Sequence, residues 1–300
     1  MITWSRMFFA AGKAFFTDNV FKHSAAVSFY ALFSLAPVTI IAVTIDGVFL
    51  GKEAASSQLQ AQLSQLMGPA SSQIILSAAE ASQAAKESTW ATALGIGLML
   101  IGATSVFGQL QDSMNQIWGV KAKPEKSGWV VLLVHRLVSF AMVLTVAFLL
   151  LVSLILTTVL TSFAGYFFAR SPALLRGLDF VGSTTVILVL FALLFKVMPD
   201  VRQRWRDVFC GAAVTTVLFT VGRYLIALYL GHSTVASIYG TAGALVALLV
   251  WVYYSCAILF FGTEFIRAYR EGHGLKVHPK ETAVQIREQV VEGKPKAAIT

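Results

Sequence analysis

The sequence predicts an all-α fold: a polytopic membrane protein built as a six-transmembrane-helix bundle, with an outer helical hairpin and amphipathic interfacial helices. Three observations predict it. Hydrophobic residues make up 57% of the 300 positions and charged residues only 13%, with a mean hydropathy of +0.73; a water-soluble domain carries about 25% charge. The apolar residues lie in long unbroken runs rather than in alternation, which selects helices over a barrel, the two ways a backbone satisfies itself in lipid. The charges, finally, are sorted by side. With spans at about 25–50, 90–108, 137–168, 181–197, 209–230 and 242–266 and the N-terminus in the cytoplasm, the outer segments hold Lys52, Lys86, Arg170 and Arg176, Arg223 lies within a span, and the other 18 of 23 Lys and Arg fall on the inner side. This positive-inside bias accounts for a net charge of +8 without a nucleic-acid partner, and it puts both termini in the cytoplasm.

Taken in order, residues 1–24 mix Phe, Met and Trp with Arg6, Lys13 and Lys22, the composition of an inner-face amphipathic segment. The same residues also suit the first turns of a long span-one helix. No signal peptide is expected, because this stretch lacks an unbroken apolar run and a small-residue cleavage site. Span one carries Pro37, a mid-membrane helix kink, and Asp46 near its outer end. Residues 52–89 repeat Leu and Ile at helical spacing on either side of Gly68-Pro69 and read as the outer helical hairpin. Spans two to six follow, the fourth stopped by Met198-Pro199-Asp200. The six-span domain is 25–270, and 271–300 read as a mobile cytoplasmic tail. Cys210 and Cys256 differ in depth by roughly 13 Å at helical rise, too far for a disulfide.

The chain turns on FGQLQDSMNQIWGV, residues 107–120. On a helix, Phe107, Leu110, Met114, Ile117 and Trp118 share one face, and Gln109, Asp112, Asn115 and Gln116 share the other. Either the polar stripe turns inward against the protein, or the helix lies among headgroups with that side wet. This stretch, together with SFYALFSLAP at 28–37, KVMPDVRQRWRD at 196–207 and SIYGTAGALVALLVWVYYS with FGTEF at 237–265, resembles the YihY/BrkB family of bacterial inner-membrane proteins. The resemblance covers roughly residues 10–270 and implies a six-span inner-membrane protein. It implies no one activity: family members carry labels from ribonuclease BN to serum resistance and lipid or envelope transport.

Two constellations stand out. Asp46 and Arg223 fall in the outer half of the membrane, roughly 6 and 10 Å deep. A centred Arg costs about 2.5 to 3.5 kcal/mol on insertion, so the two are expected to border one polar cavity with Tyr239, Gly240 and Gly243; the alternative is that each reaches the headgroups alone. At the inner face, Arg136, Lys196, Asp200, Arg206, Asp207 and Glu264 meet Gln109, Gln111, Asp112 and Asn115. This set reads as an anion site for a lipid headgroup or as a salt-bridge belt fixing helix ends. Catalysis has no foothold: the five His are scattered over both sides, with no HExxH, GxSxG or P-loop, so no enzyme, metal or cofactor is expected. The expected function is transport or binding of an amphiphilic or anionic envelope component such as a lipid. The alternative is a non-transporting scaffold of envelope assembly. Expected partners are membrane lipids, with envelope proteins or self-association besides.

Overall fold

The computed structural model describes residues 4–32, 56–57, 60–61, 64, 72–73, 76–77, 105–123, 172–232 and 241–286. They are mostly helical. Helix α1 is Trp4–Thr17, α2 is 20–32, α3 is 105–117, α4 is Pro172–Val197, α5 is Trp205–His232 and α6 is Thr241–Gly272. Two short strands, β1 (Val120–Ala122) and β2 (Ala283–Gln285), pair antiparallel with Lys121 opposite Val284. The described positions between 56 and 77 are helical, and the Ser64 and Ser72 hydroxyls meet at 2.7 Å.

Among the described residues three helices are long and apolar enough to cross a membrane: α4, α5 and α6, with apolar stretches Phe180–Val197, Trp205–Ile226 and Val246–Gly272. They stand where spans four to six were expected but are longer. Pro172 opens α4 inside the segment read as an outer loop, as suits a residue whose missing N–H is unneeded in a first turn. α6 runs six residues past the expected end at 266, since nothing in Arg267–Gly272 breaks a helix until Gly274. There the chain turns left-handed (φ 68°), and Leu275 N–H reaches the Arg270 carbonyl at 2.9 Å while Gly274 N–H reaches that of Glu271 at 3.0 Å, the paired closure of a glycine-ended helix.

α1 and α2 are separate helices. The break is Asp18-Asn19, with Asn19 at φ 53°, a conformation Asn tolerates. α1 lies along the end of α6: Met7 and Ala11 bury against Phe265, and Phe8 packs on Phe265 at 4.8 Å between ring centroids. Trp4, though exposed, stacks on Phe265 at 6.2 Å on that same side, while the other side leaves Phe9 and Phe16 exposed, as in a helix lying in an interface.

The main core joins α2, α3, α4, α5 and α6 around Phe107, Met114, Phe195, Val208 and Phe260. α5 and α6 approach closely through glycine. A Cβ on Gly222 would overlap the Tyr254 ring, one on Gly211 the Ile266 side chain, and one on Gly262 the Thr215 hydroxyl and Phe195 ring. Close backbone approach through small residues is how helices associate where no hydrophobic effect separates them from lipid.

The polar residues after α6 do not run free from 271. Residues 275–286 form a strap across the end where α4 passes into α5, here called the polar end. Lys280 N–H bonds to the Asp200 carbonyl at 2.9 Å, Arg202 N–H to that of His278 at 2.8 Å, and Ile286 N–H to that of Gly119 at 2.8 Å. Backbone hydrogen bonds hold it down, with small contributions from Val277 and Ala283 against the core, so hydropathy carried little sign of it. The rest of the expected tail, 287–300, lies outside the described residues.

Candidate functional site

The geometry at the polar end begins with α3. The apolar face read from the sequence is buried: Phe107, Leu110, Met114, Ile117 and Trp118 all pack inside. The polar stripe splits. Asp112 and Gln116 are exposed, whereas Asn115 is buried and, joined by buried Gln111 from beside the apolar face, converges on Asp200 in the α4–α5 turn. Asn115 Nδ2 donates to Asp200 Oδ2 at 2.9 Å, and its Oδ1 accepts from Asp200 N–H at 2.8 Å. Gln111 Nε2 adds a longer contact at 3.4 Å. One amide thus satisfies both the backbone and the side chain of the buried aspartate, the condition under which a buried charge is tolerated. Gln109 turns to Ser113 at 3.3 Å instead.

A second knot joins α5 to α6. Asp207, in the first turn of α5 where a negative charge suits the helix dipole, takes Arg270 Nη1 at 3.2 Å, with both side chains under one-tenth exposed. Arg270 also donates to the Lys276 carbonyl at 3.0 Å, so it fastens the strap. Lys280 lies 4.0 Å from Asp200 and donates to the Val197 carbonyl at 3.1 Å. Burial pulls its pKa down, Asp200 opposes this, and Lys196 reinforces it.

A third knot gathers the α1–α2 joint, α3 and α6. Arg267 Nη1 donates to Asp18 Oδ2 at 2.8 Å and to the Ile117 carbonyl at 2.6 Å. Its Nε meets Glu271 at 3.2 Å. Glu264 stands 3.7 Å from the same guanidinium. His23 lies nearby, edge-on to Phe260, its pKa lowered by burial and by Lys22 against an opposing pull from Asp18.

Beside these knots lies an edge of different character. Arg204 and Arg206 are exposed, and among the described residues neither has a carboxylate partner. Between them Trp205 is 48% exposed and packs on exposed Phe209 at 5.7 Å. The Lys196 ammonium sits over the Trp205 ring at 5.3 Å and donates to the Gln203 carbonyl.

Of the inner set, then, the structure gathers Gln111, Asn115 and Asp200 in one network, puts Asp207 and Glu264 in two others, and leaves Lys196 and Arg206 on the open edge. Arg136 lies outside the described residues. So do Asp46, Tyr239, Gly240 and Pro37, and with them the expected outer cavity. Arg223 is half-buried and lies 5.3 Å over the Tyr224 ring; Gly243 is in the first turn of α6. Sequence reading passed over Asp18 as a site residue and left out Arg267, Arg270, Lys280, Arg204 and Trp205. The signal for the first pair of arginines was present: Glu264, Arg267, Arg270 and Glu271 recur at helical spacing on one face. Cys210 and Cys256 are free, and no three His, Cys, Asp or Glu among the described residues are placed to hold a metal ion.

Comparison with known proteins agrees with this architecture. The family model described as "Virulence factor BrkB" matches residues 11–285. A UPF0761 membrane protein of Alteromonas mediterranea is 25% identical over 250 residues, covering 83% of this chain and 82% of its own. One of Alcanivorax borkumensis is 25% identical over 264 residues, 85% of this chain but 58% of that longer protein. A third, from Pseudoalteromonas translucida, is 23% identical over 253 residues, 82% of this chain and 80% of its own. No solved structure matches. With three membrane-length helices among its described residues, a family match across most of its length and relatives named as membrane proteins, the chain is an integral membrane protein and belongs to the BrkB (YihY/BrkB) family.

Proposed function

We propose that this protein is a six-span protein of the bacterial inner membrane, with both termini in the cytoplasm, that binds and moves an anionic amphiphile of the envelope, a lipid with an acidic headgroup, and has no enzymatic activity of its own. One observation carries the reading. Among the charges at the polar end, Asp200, Asp207, Arg267 and Arg270 are tied to partners within the protein, whereas Arg204 and Arg206 face outward on either side of exposed Trp205. An indole at headgroup depth flanked by two open guanidinium groups matches an acidic headgroup above acyl chains. Basic groups near such a surface contribute about 1 kcal/mol each. The positive-inside distribution supports putting this edge on the cytoplasmic leaflet.

The test is lipid retention. Purified protein in mixed phosphatidylglycerol and phosphatidylcholine is examined by native mass spectrometry, wild type against Arg204→Ala with Arg206→Ala. Preferential retention of phosphatidylglycerol by the wild type, lost in the double variant, supports the site. Equal retention by both contradicts it and favours the scaffold reading, under which removal of residues 52–89 is the damaging change.

A further inference from the structure

The third knot holds a feature that lipid binding does not use. Glu264 is 1% exposed, and both its carboxyl oxygens are buried without a hydrogen-bond donor. Arg267, the nearest cation, stands at 3.7 Å, beyond hydrogen-bonding range, because its Nη1 is already committed to Asp18 and to the Ile117 carbonyl. The Asp18 carboxyl lies against the same nitrogen, its Oδ2 2.8 Å from Nη1, so the two carboxyl groups flank one guanidinium nitrogen. Two carboxylates have four acceptor oxygens and no donor. So placed, they repel unless one proton lies between them, and Arg267 offsets one negative charge of the pair, not both.

We propose that Asp18 and Glu264 form a proton-binding site, one proton shared between the two carboxyl groups and clamped by Arg267. The site spans two parts of the chain. Asp18 belongs to the joint between α1 and α2, and Glu264 to the far end of α6, so the bound proton fastens the N-terminal interfacial helices to the last membrane-length helix. The other charged groups facing it are Lys22 and His23 from α2 and Glu271 from α6; α3 contributes the Ile117 carbonyl. Loss of the proton leaves Asp18, Glu264 and Glu271 against Arg267 alone, and the joint loosens. This inference is independent of the lipid proposal and fails or stands separately from it.

The experiment uses the full chain in lipid nanodiscs. Infrared spectra of the wild type at neutral pH are expected to show a protonated-carboxyl stretch that titrates away as pH rises. Glu264→Gln and Asp18→Asn each put an amide N–H where the proton was, and each loses that band. The thermal midpoint of the wild type falls as pH rises, because the folded state binds a proton the unfolded chain does not, while that of Glu264→Gln stays flat over the same range. His23 titrates with the opposite sign, costing stability as pH falls, so the two are separable. A wild-type spectrum without the band, or a band kept by both variants, overturns the proposal; should one variant fail to fold, the other decides.

Discussion

Helices α4 and α6 look alike in the sequence and occupy opposite positions in the fold. Their apolar stretches have mean hydropathies of 2.2 and 1.9, yet 17% of the first is buried in the protein against 56% of the second. α4 shows Phe180, Val181 and Val189 to its surroundings. α6 turns Gly262, Thr263 and Glu264 inward and carries Arg267 and Arg270, which tie the α1–α2 joint, α3, α5 and the strap together. Hydropathy reports that a helix prefers lipid to water; it says nothing of whether neighbours or acyl chains surround it. Small and polar residues mark the inner helix, because only a protein neighbour accepts a close backbone or a buried charge.

That contrast is easily strained. The largest effect is expected at Arg270. Arg270→Ala leaves Asp207 buried and uncompensated, a change of about 3 to 5 kcal/mol, and it frees the strap at Lys276. Reversible unfolding in detergent measures the loss, and proteolysis within 275–286 reports the strap; an unchanged midpoint would show that the pair does not hold the polar end. A smaller effect is expected from Gly262→Ala, about 1 to 3 kcal/mol, since its Cβ would press on Thr215, whose hydroxyl is bonded to the Gly211 carbonyl at 2.8 Å. The matched change on α4, Val189→Ala, is expected to stay within about 0.5 kcal/mol. Equal costs at the two positions would erase the distinction between an inner and a lipid-facing helix.

Much of this was legible beforehand. The apolar face of 107–118 was readable because helical periodicity and burial are the same fact seen twice. The last three apolar runs were readable from length alone. What escaped has a common cause. Asn115 and Asp112 lie close in sequence on one polar stripe, and only the position of Asp200, 85 residues on, decides that one is buried and the other wet. The strap escaped because polar residues bonding through their backbones resemble a free tail. Asp18 escaped because nothing in residues 1–24 announces that its carboxylate meets Arg267, 249 residues on. The family resemblance supplied the architecture without an activity, so the division of the inner charges into tied knots and an open edge comes from geometry.

The most direct test of the account is to ask which indole touches lipid. Trp205 is 48% exposed on the basic edge and Trp118 is 2% exposed, beneath Arg270. In variants retaining one or the other as the sole tryptophan, brominated phosphatidylglycerol is expected to quench Trp205 strongly, more than brominated phosphatidylcholine does, and to leave Trp118 bright. Equal quenching of the two, or no preference between headgroups at Trp205, would contradict both the packed polar end and the open lipid edge beside it.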